Sequence, residues 1–518
     1  MLMKNNTFFV FILLCFNSLL CFANTIPVVF VHSGDAYYLK DTLTQAKQCN
    51  ERVILLGDEN NRHCAEGGVE YYPISDFNKA GSYFTTIYRH MTYIPYEIEL
   101  SCFTRWFVLQ EFMEINNIPI SFYVDSDVML YCDASEEYET NFKGCDLAIA
   151  IQHGFCGGLV SYWQTDTIRS FCNFLNQFYE DKERLDILED QFKLGGEQYQ
   201  DDWPQMTNWV HENWNKFRIG NLSSLINNAT FDSSIWHDYI LVPNAAGDIE
   251  YKRLRLKDSG LNTRDREKLM KDIVWNNGHP YCYSPDLRSF IQFKALHFQG
   301  GAKTLIQHYK TPKIDLVIPE PYASINTLPF YMLGFFSPEN QKKLEHFIKT
   351  YEPKTIVELG CWMGTTTSFM ALLMPKDSKI YSIDYFDDSI DPYLKAREDL
   401  SKKTTELYQQ FLSNMRHYQL CNKVIPVKMG TIEAANSLNI KADLIYIDAS
   451  MEEELVFKDI MAWYPKLNKQ GILCGNNWLW CTGIQNGVTR AAQELGRKII
   501  VEQNFWYFDL VKNGEEEL

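Results

Sequence analysis

Apolar runs recur along the chain at intervals that leave room for one helix between them. The stretch TIPVVFVHSGDAYYL (25–39) joins such a run to a polar turn, and RVILLGD (52–58) repeats the form after a helix-length gap. Residues 118–124 make another run, entered from FTRWFVLQEFMEIN (103–116), whose apolar positions fall at helical spacing. Short continuous apolar runs predict strands buried on both faces. From Glu339 the rhythm becomes regular: helix, TIVELG, helix, KIYSIDY, helix, VIPVKMG, then ADLIYID. Strands alternating with helices predict a layered α/β architecture, and the second series predicts an independent doubly wound sheet. Between the two lies the proline-containing stretch 311–338, which has little periodicity and reads as a linker. The expectation is a first domain over 25–310 and a second over 339–518, because 518 residues exceed what one core supports.

Composition adds limits. With 46% hydrophobic and 22% charged residues the chain is ordinary for a folded protein. A formal net charge of −17 argues against nucleic acid as the main partner, so an anionic substrate would need a local cation or metal. Lys4, the apolar run 8–22 and the small Ala23 have the form of a secretory signal or anchor over 1–24. That predicts the secretory pathway, the periplasm or membrane association through this segment. The cysteines beyond it, Cys102, Cys156 and Cys474 among them, show no disulfide or zinc spacing and read as buried thiols. They suit a reducing compartment such as the cytoplasm, in tension with the signal.

Two carboxylates interrupt the apolar pattern in FYVDSDVML (122–130). Asp125 and Asp127 stand where a buried strand ends, at the sheet edge that binds ligands in open α/β folds. In extended backbone they point the same way, and a divalent cation is the usual reason to assemble such a pair. A surface turn is the plainer alternative. The D-x-D-x-V form also resembles the nucleophile motif of haloacid-dehalogenase phosphatases, although a long α/β stretch precedes it here.

Far downstream stands HFQGGAK (297–303). Together with the D-x-D it resembles glycosyltransferase family 8, of the GT-A fold, over roughly 25–310. The resemblance implies that Asp125, Asp127 and His297 hold Mn²⁺ or Mg²⁺. It implies that Lys303 meets the diphosphate of a nucleotide sugar such as a UDP-sugar, with Gly300 and Gly301 letting the backbone approach. It further suggests Arg105 facing the nucleotide, Gly157 and Gly158 making room beneath the donor sugar, and Asp202 or Asp201 contacting sugar hydroxyls. The acceptor class would be a glycan or glycolipid. Family 8 enzymes retain anomeric configuration.

The second half carries TIVELGCWMGTT (355–366), where a strand runs through Glu358 and Gly360 to Gly364 and a helix. Glycines there permit a tight turn and a close approach. About twenty residues on, KIYSIDY ends in Asp384, a carboxylate able to accept both hydroxyls of a ribose. Thr431 follows the third strand as an adenine edge, and Asp448 ends the fourth. This series resembles the class I S-adenosylmethionine-dependent methyltransferases, in the branch of macrocin-type and catechol-type O-methyltransferases. The resemblance implies Glu358 and Gly360 near the methionine part of the cofactor and Asp448 near the reaction centre. A nicotinamide Rossmann domain is the rival, lacking its G-x-G-x-x-G. Where many relatives have D-G-D-H, this chain has Asp448-Ala449-Ser450-Met451, and a later aspartate position falls in Gly475-Asn476-Asn477. One carboxylate and two amides make a weaker Mg²⁺ site than a carboxylate-rich set. The whole reads as a bifunctional transferase. Its alternative is a secreted or membrane-associated protein that binds a nucleotide sugar and the methyl donor with only one domain or neither active.

Overall fold

The computed structural model describes residues 25–509, apart from 195–200, 245, 247, 262–267, 312–316, 335 and 388–406. The signal or anchor expected over 1–24 lies outside the described residues. No described helix is long and apolar enough to cross a membrane. Contacts divide the chain into two units, 1–272 with 293–313 and 273–292 with 314–518.

Unit 1 is built on a seven-stranded mixed sheet. Its strands are β1 (Val28–Val31), β2 (Val53–Gly57), β3 (Glu70–Pro73), β4 (Ile120–Val124), β6 (Leu147–Gln152), β7 (Phe155–Gln164) and β8 (Ile219–Asn221), in spatial order β3-β2-β1-β4-β7-β6-β8. β1, β2, β3 and β4 run parallel, whereas β7 is antiparallel to β4 and β6. Alternation across the sheet fills two cores. Val29, Ile54, Leu56 and Tyr123 serve one face, and Val28, Phe30, Leu55 and Phe122 the other. The continuous apolar runs follow from this double burial. The helix Tyr96–Ile115 begins after Pro95, earlier than its apolar spacing indicates, and buries Phe103, Trp106, Phe107, Phe112 and Met113. A short strand β5 (Val128–Leu130) follows β4 and pairs antiparallel with the end of β9 (Ser289–His297), setting His297 opposite Val128.

Unit 2 holds β10 (Thr355–Leu359), β11 (Lys379–Asp384), β12 (Val424–Lys428), β13 (Ala442–Ile447), β14 (Leu467–Gly475), β15 (Ile499–Glu502) and β16 (Phe505–Phe508). Their spatial order is β12-β11-β10-β13-β14-β16-β15, parallel as far as β14, with β16 antiparallel to both neighbours. The chain winds outward from β10 and then returns to its other side, which places a switch point between β10 and β13, where such sheets bind ligands.

The contact division departs from the sequence-based limits in two places. Residues 273–292 group with unit 2, where Tyr281, Tyr283 and Phe290 join its core and Asn276 Nδ2 donates to the Tyr418 carbonyl at 2.7 Å. The stretch read as a linker is packed from its middle onward. Tyr322 is buried and donates to the Val424 carbonyl, Leu328 N–H donates to Ser413 Oγ, and Asn414 Nδ2 donates to the Tyr331 carbonyl. Irregular backbone can be held in this way when side chains from a helix satisfy its polar groups.

Candidate functional sites

In unit 1 the ends of β4 and β9 bring the two parts of the distant motif together. Ligand-type atoms of Asp125, Asp127 and His297 all lie within 4.8 Å of one another. His297 Nε2 lies 3.3 Å from Asp127 Oδ1, and Lys303 Nζ lies 3.1 Å from Asp127 Oδ2. His297 Nδ1 sits 2.7 Å from the Ser233 carbonyl, which accepts its proton and turns Nε2 toward the aspartates. Two carboxylates and an imidazole oriented in this way fit a divalent ion of the Mg²⁺ or Mn²⁺ kind. Burial opposes ionisation of Asp127, but His297 and Lys303 outweigh it and hold the carboxyl below its usual range. Burial likewise opposes a charge on His297, and Asp127 reverses this, raising the imidazole to about 9.

Further residues surround this centre. Asp125 Oδ1 accepts from Tyr123 Oη at 2.6 Å and from Arg105 Nη1 at 2.7 Å. Arg105 Nη2 reaches Asp202 Oδ2, also at 2.7 Å, so the guanidinium spans both aspartates. Arg105 and Asp202, expected at a nucleotide and at sugar hydroxyls, are thus paired with each other, with Asp202 buried. The neighbouring Glu99 is raised to about 8 by burial and then by Asp202 and Asp201, and Asp201 to about 6 by burial and Asp202. The room expected at Gly157 and Gly158 is filled by protein. A Cβ at Gly157 would lie 3.1 Å from the Trp203 ring, and one at Gly158 would lie 2.4 Å from the Trp106 ring. Gly300 opens the segment Gly300–Tyr309 with φ +56°, a left-handed turn that suits glycine, and Gly301 and Lys303 lie within that segment. Sequence reading overlooked Tyr38, whose ring carries Lys303 Nζ at 5.2 Å from its centroid. Its place in the polar turn after β1 was the available signal.

In unit 2 the turn after β10 is pinned by one side chain. Asp384 Oδ2 accepts from the N–H groups of Cys361 at 3.0 Å and Trp362 at 2.9 Å, and Oδ1 accepts from Phe386 N–H at 2.9 Å. Trp362 and Phe386 both hold positive φ, at 44° and 50°, and these bonds keep them there. A carboxylate offers about four acceptor positions, so Asp384 retains about one for a ribose hydroxyl instead of the two expected. Gly360 has φ +82°, and a Cβ there would lie 2.5 Å from the Asp448 carbonyl oxygen. Gly364 has φ +91°, with Met415 Cε at 2.5 Å from the same position. The close approaches these two glycines permit are to neighbouring protein segments. Thr431 turns its hydroxyl to Asp459 Oδ1.

Glu358 lies fully buried beneath this turn. Oε2 accepts from Thr367 and, at 3.4 Å, from Ser382, whereas Oε1 has no partner. Burial raises it to about 8. An orphaned buried acceptor beside a glycine turn fits a cofactor that brings positive charge, as the sulfonium and ammonium of S-adenosylmethionine do.

Asp448, at the end of β13, accepts from Asn477 Nδ2 at 3.1 Å and Asn476 Nδ2 at 3.4 Å. Asn476 Oδ1 is occupied by the Asn477 N–H at 2.7 Å, by Asn504 Nδ2 at 3.1 Å and by Asn340 Nδ2. The set presents hydrogen donors, not oxygens, toward the carboxylate, and does not fit a divalent ion.

Residues 357–478 match the family model described as a methyltransferase domain. No curated protein matches the chain. Solved structures similar to the chain include the SAH-bound methyltransferase PaMTH1 of Podospora anserina, at 14% identity and TM-score 0.26, covering 34% of this chain and 80% of that one. Another is the O-methyltransferase TomG of Streptomyces achromogenes with SAM, at 14% identity and TM-score 0.27, covering 35% and 82%. A third is an O-methyltransferase of Bacillus cereus with SAH, at 14% identity and TM-score 0.26, covering 37% and 87%. The family match spans β10 to the residues just after β14, so the switch point of unit 2 is that of a methyltransferase domain.

Proposed function

We propose that unit 2 is an S-adenosylmethionine-dependent O-methyltransferase. The family match over 357–478 carries this reading. The Asp384-pinned turn and the orphaned Glu358 Oε1 support it as the place where the cofactor's ribose and methionine ends are received. Calorimetry with S-adenosylhomocysteine tests it: micromolar binding that Gly360→Ala abolishes is the expected result. Absence of binding to the intact chain would remove the reading.

A second activity is favoured by one observation, the convergence of Asp125, Asp127 and His297 with Lys303 alongside. We propose that unit 1 transfers a sugar from a nucleotide sugar, with Mn²⁺ or Mg²⁺ held by those three residues, to a glycan or glycolipid acceptor. When the sugar–phosphate bond breaks, negative charge grows on the leaving diphosphate. A metal and a lysine placed there stabilise its departure. The covalent union of the two units supports a shared product, a glycan that receives a sugar and then a methyl cap, made on the secretory route if 1–24 acts as a signal. A nucleotide-sugar screen scored by Mn²⁺-dependent hydrolysis tests the sugar half. Turnover unchanged in Asp125→Ala/Asp127→Ala would end it.

A further inference from the structure

The Asp448 cluster has the position of a reaction centre but the wrong donors for a metal. Its geometry rests on Asn476. A backbone N–H cannot be exchanged for an acceptor, so the Asn477 N–H at 2.7 Å identifies the facing Asn476 atom as oxygen. Asn504 Nδ2 and Asn340 Nδ2 approach the same oxygen. The amide NH₂ of Asn476 must then point at Asp448, and an N–H dipole aimed at that point repels a cation. Asn477, held at φ +65°, adds a second donor.

We propose that Asp448 itself binds the acceptor hydroxyl and takes its proton during methyl transfer, with the amides of Asn476 and Asn477 in place of a divalent ion. The proposal rests on the cofactor reading of unit 2. Two of about four acceptor positions on the carboxylate are used by the amides, which leaves two for a hydroxyl. In the step, the acceptor O–H proton passes to the Asp448 carboxylate as the oxygen attacks the sulfonium methyl. The C–S bond breaks with its electron pair on sulfur, S-adenosylhomocysteine is formed, and the proton is released to water. Withdrawal from water raises the carboxyl to about 7, a value suited to accepting a proton near neutrality. Among the described residues, the ionisable groups that interact with Asp448 are Glu358 on β10 and Tyr446 on β13, neither a cation.

The same arrangement selects the acceptor. An anionic acceptor would be repelled by the Asp448 carboxylate to which it must hand its proton, so the site disfavours anionic acceptors. Met451, Leu479 and Trp480 are 62%, 58% and 81% exposed on the loops that follow Asp448 and Asn477, and they offer an apolar, aromatic rim. A neutral ring compound with a hydroxyl at its edge suits both features.

The test uses the full chain carrying Asp125→Asn and Asp127→Asn, saturated with S-adenosylhomocysteine and titrated with Mn²⁺ under electron paramagnetic resonance. The expected result is no bound Mn²⁺ that disappears on adding Asp448→Asn, while Asn476→Asp raises Mn²⁺ affinity by about tenfold or more. Tight Mn²⁺ binding that Asp448→Asn removes would overturn the proposal, as would an Asn476→Asp chain with unchanged affinity. An infrared titration of the same chain should show, beside the bands of Glu99, Asp201 and Glu358, a protonated-carboxyl component that fades as pH rises through about 7 and is lost in Asp448→Asn. Its absence from the parent would remove the proton-accepting role. Calorimetry with S-adenosylhomocysteine reports separately on the cofactor reading, since a chain that fails to bind it still yields a readable Mn²⁺ result.

Discussion

In unit 1, Asp125 and Asp127 face Arg105, His297 and Lys303; in unit 2, Glu358, Asp384 and Asp448 face hydroxyls, amides and backbone N–H groups. Both sets stand at the carboxyl ends of parallel strands, where side chains from several elements converge. The consequences are opposite. Cations hold Asp127 ionised, whereas dipoles alone leave Glu358 and Asp448 raised to about 8 and about 7. A carboxylate embedded among cations is prepared to share its charge with a metal, and one embedded among neutral donors is prepared to take a proton or meet a cationic ligand.

The contrast can be broken most severely at Arg105. Arg105→Met leaves Asp125 and Asp202 without their shared cation, and losing one partner of a buried ion pair costs about 3–5 kcal/mol. Hydrogen exchange should fall in protection across β4 and the helix Tyr96–Ile115, with β10 to β14 unchanged. Next comes Asp127→Ala, expected to slow any Mn²⁺-dependent nucleotide-sugar hydrolysis by about 10²–10³-fold and to leave S-adenosylhomocysteine binding as it was. Steady-state kinetics and calorimetry on one preparation check both halves.

The third test uses pH. Glu358 and Asp448 bind protons more tightly in the folded state than in the unfolded one. Their contribution is therefore favourable at about pH 5 and is lost as pH rises through about 7 to 8. Exchange protection of unit 2 should decline by on the order of 1–3 kcal/mol between pH 5 and 9, and Glu358→Gln should flatten the decline. The smallest effect is expected from Asn477→Ala, which removes one donor from Asp448 and should cost about 1 kcal/mol.

Legibility in the sequence followed distance along the chain. The strands could be read from their apolar runs, and the D-x-D with its late histidine and lysine was recognisable as a set that the fold does assemble. Arg105 and Asp202 were each noticed, but their pairing joins residues 97 apart and no local pattern encodes it. Gly157 and Gly158 announced that something comes close without saying what, and two tryptophans occupy the space. Asn476 and Asn477 were visible as departures. Which face of the amide meets Asp448 is decided partly by Asn340 and Asn504, far away in sequence. The segment 311–338 read as a linker because its prolines suppress periodicity; Leu328 and Tyr331 within it are held by Ser413 and Asn414.

Strand β9 begins among residues of unit 2 and ends, at His297, in the candidate centre of unit 1. No single scission of the polypeptide therefore yields two intact halves. A fragment beginning at Glu339 would lack Tyr281, Tyr283, Phe290 and Tyr322 from its interior, and one ending near Lys310 would expose Tyr281, Tyr283 and Phe290 to solvent. Expression of either unit by itself calls for re-routing the gene, grafting 273–292 onto the C-terminal piece and bridging Asp272 to Phe293 in the other.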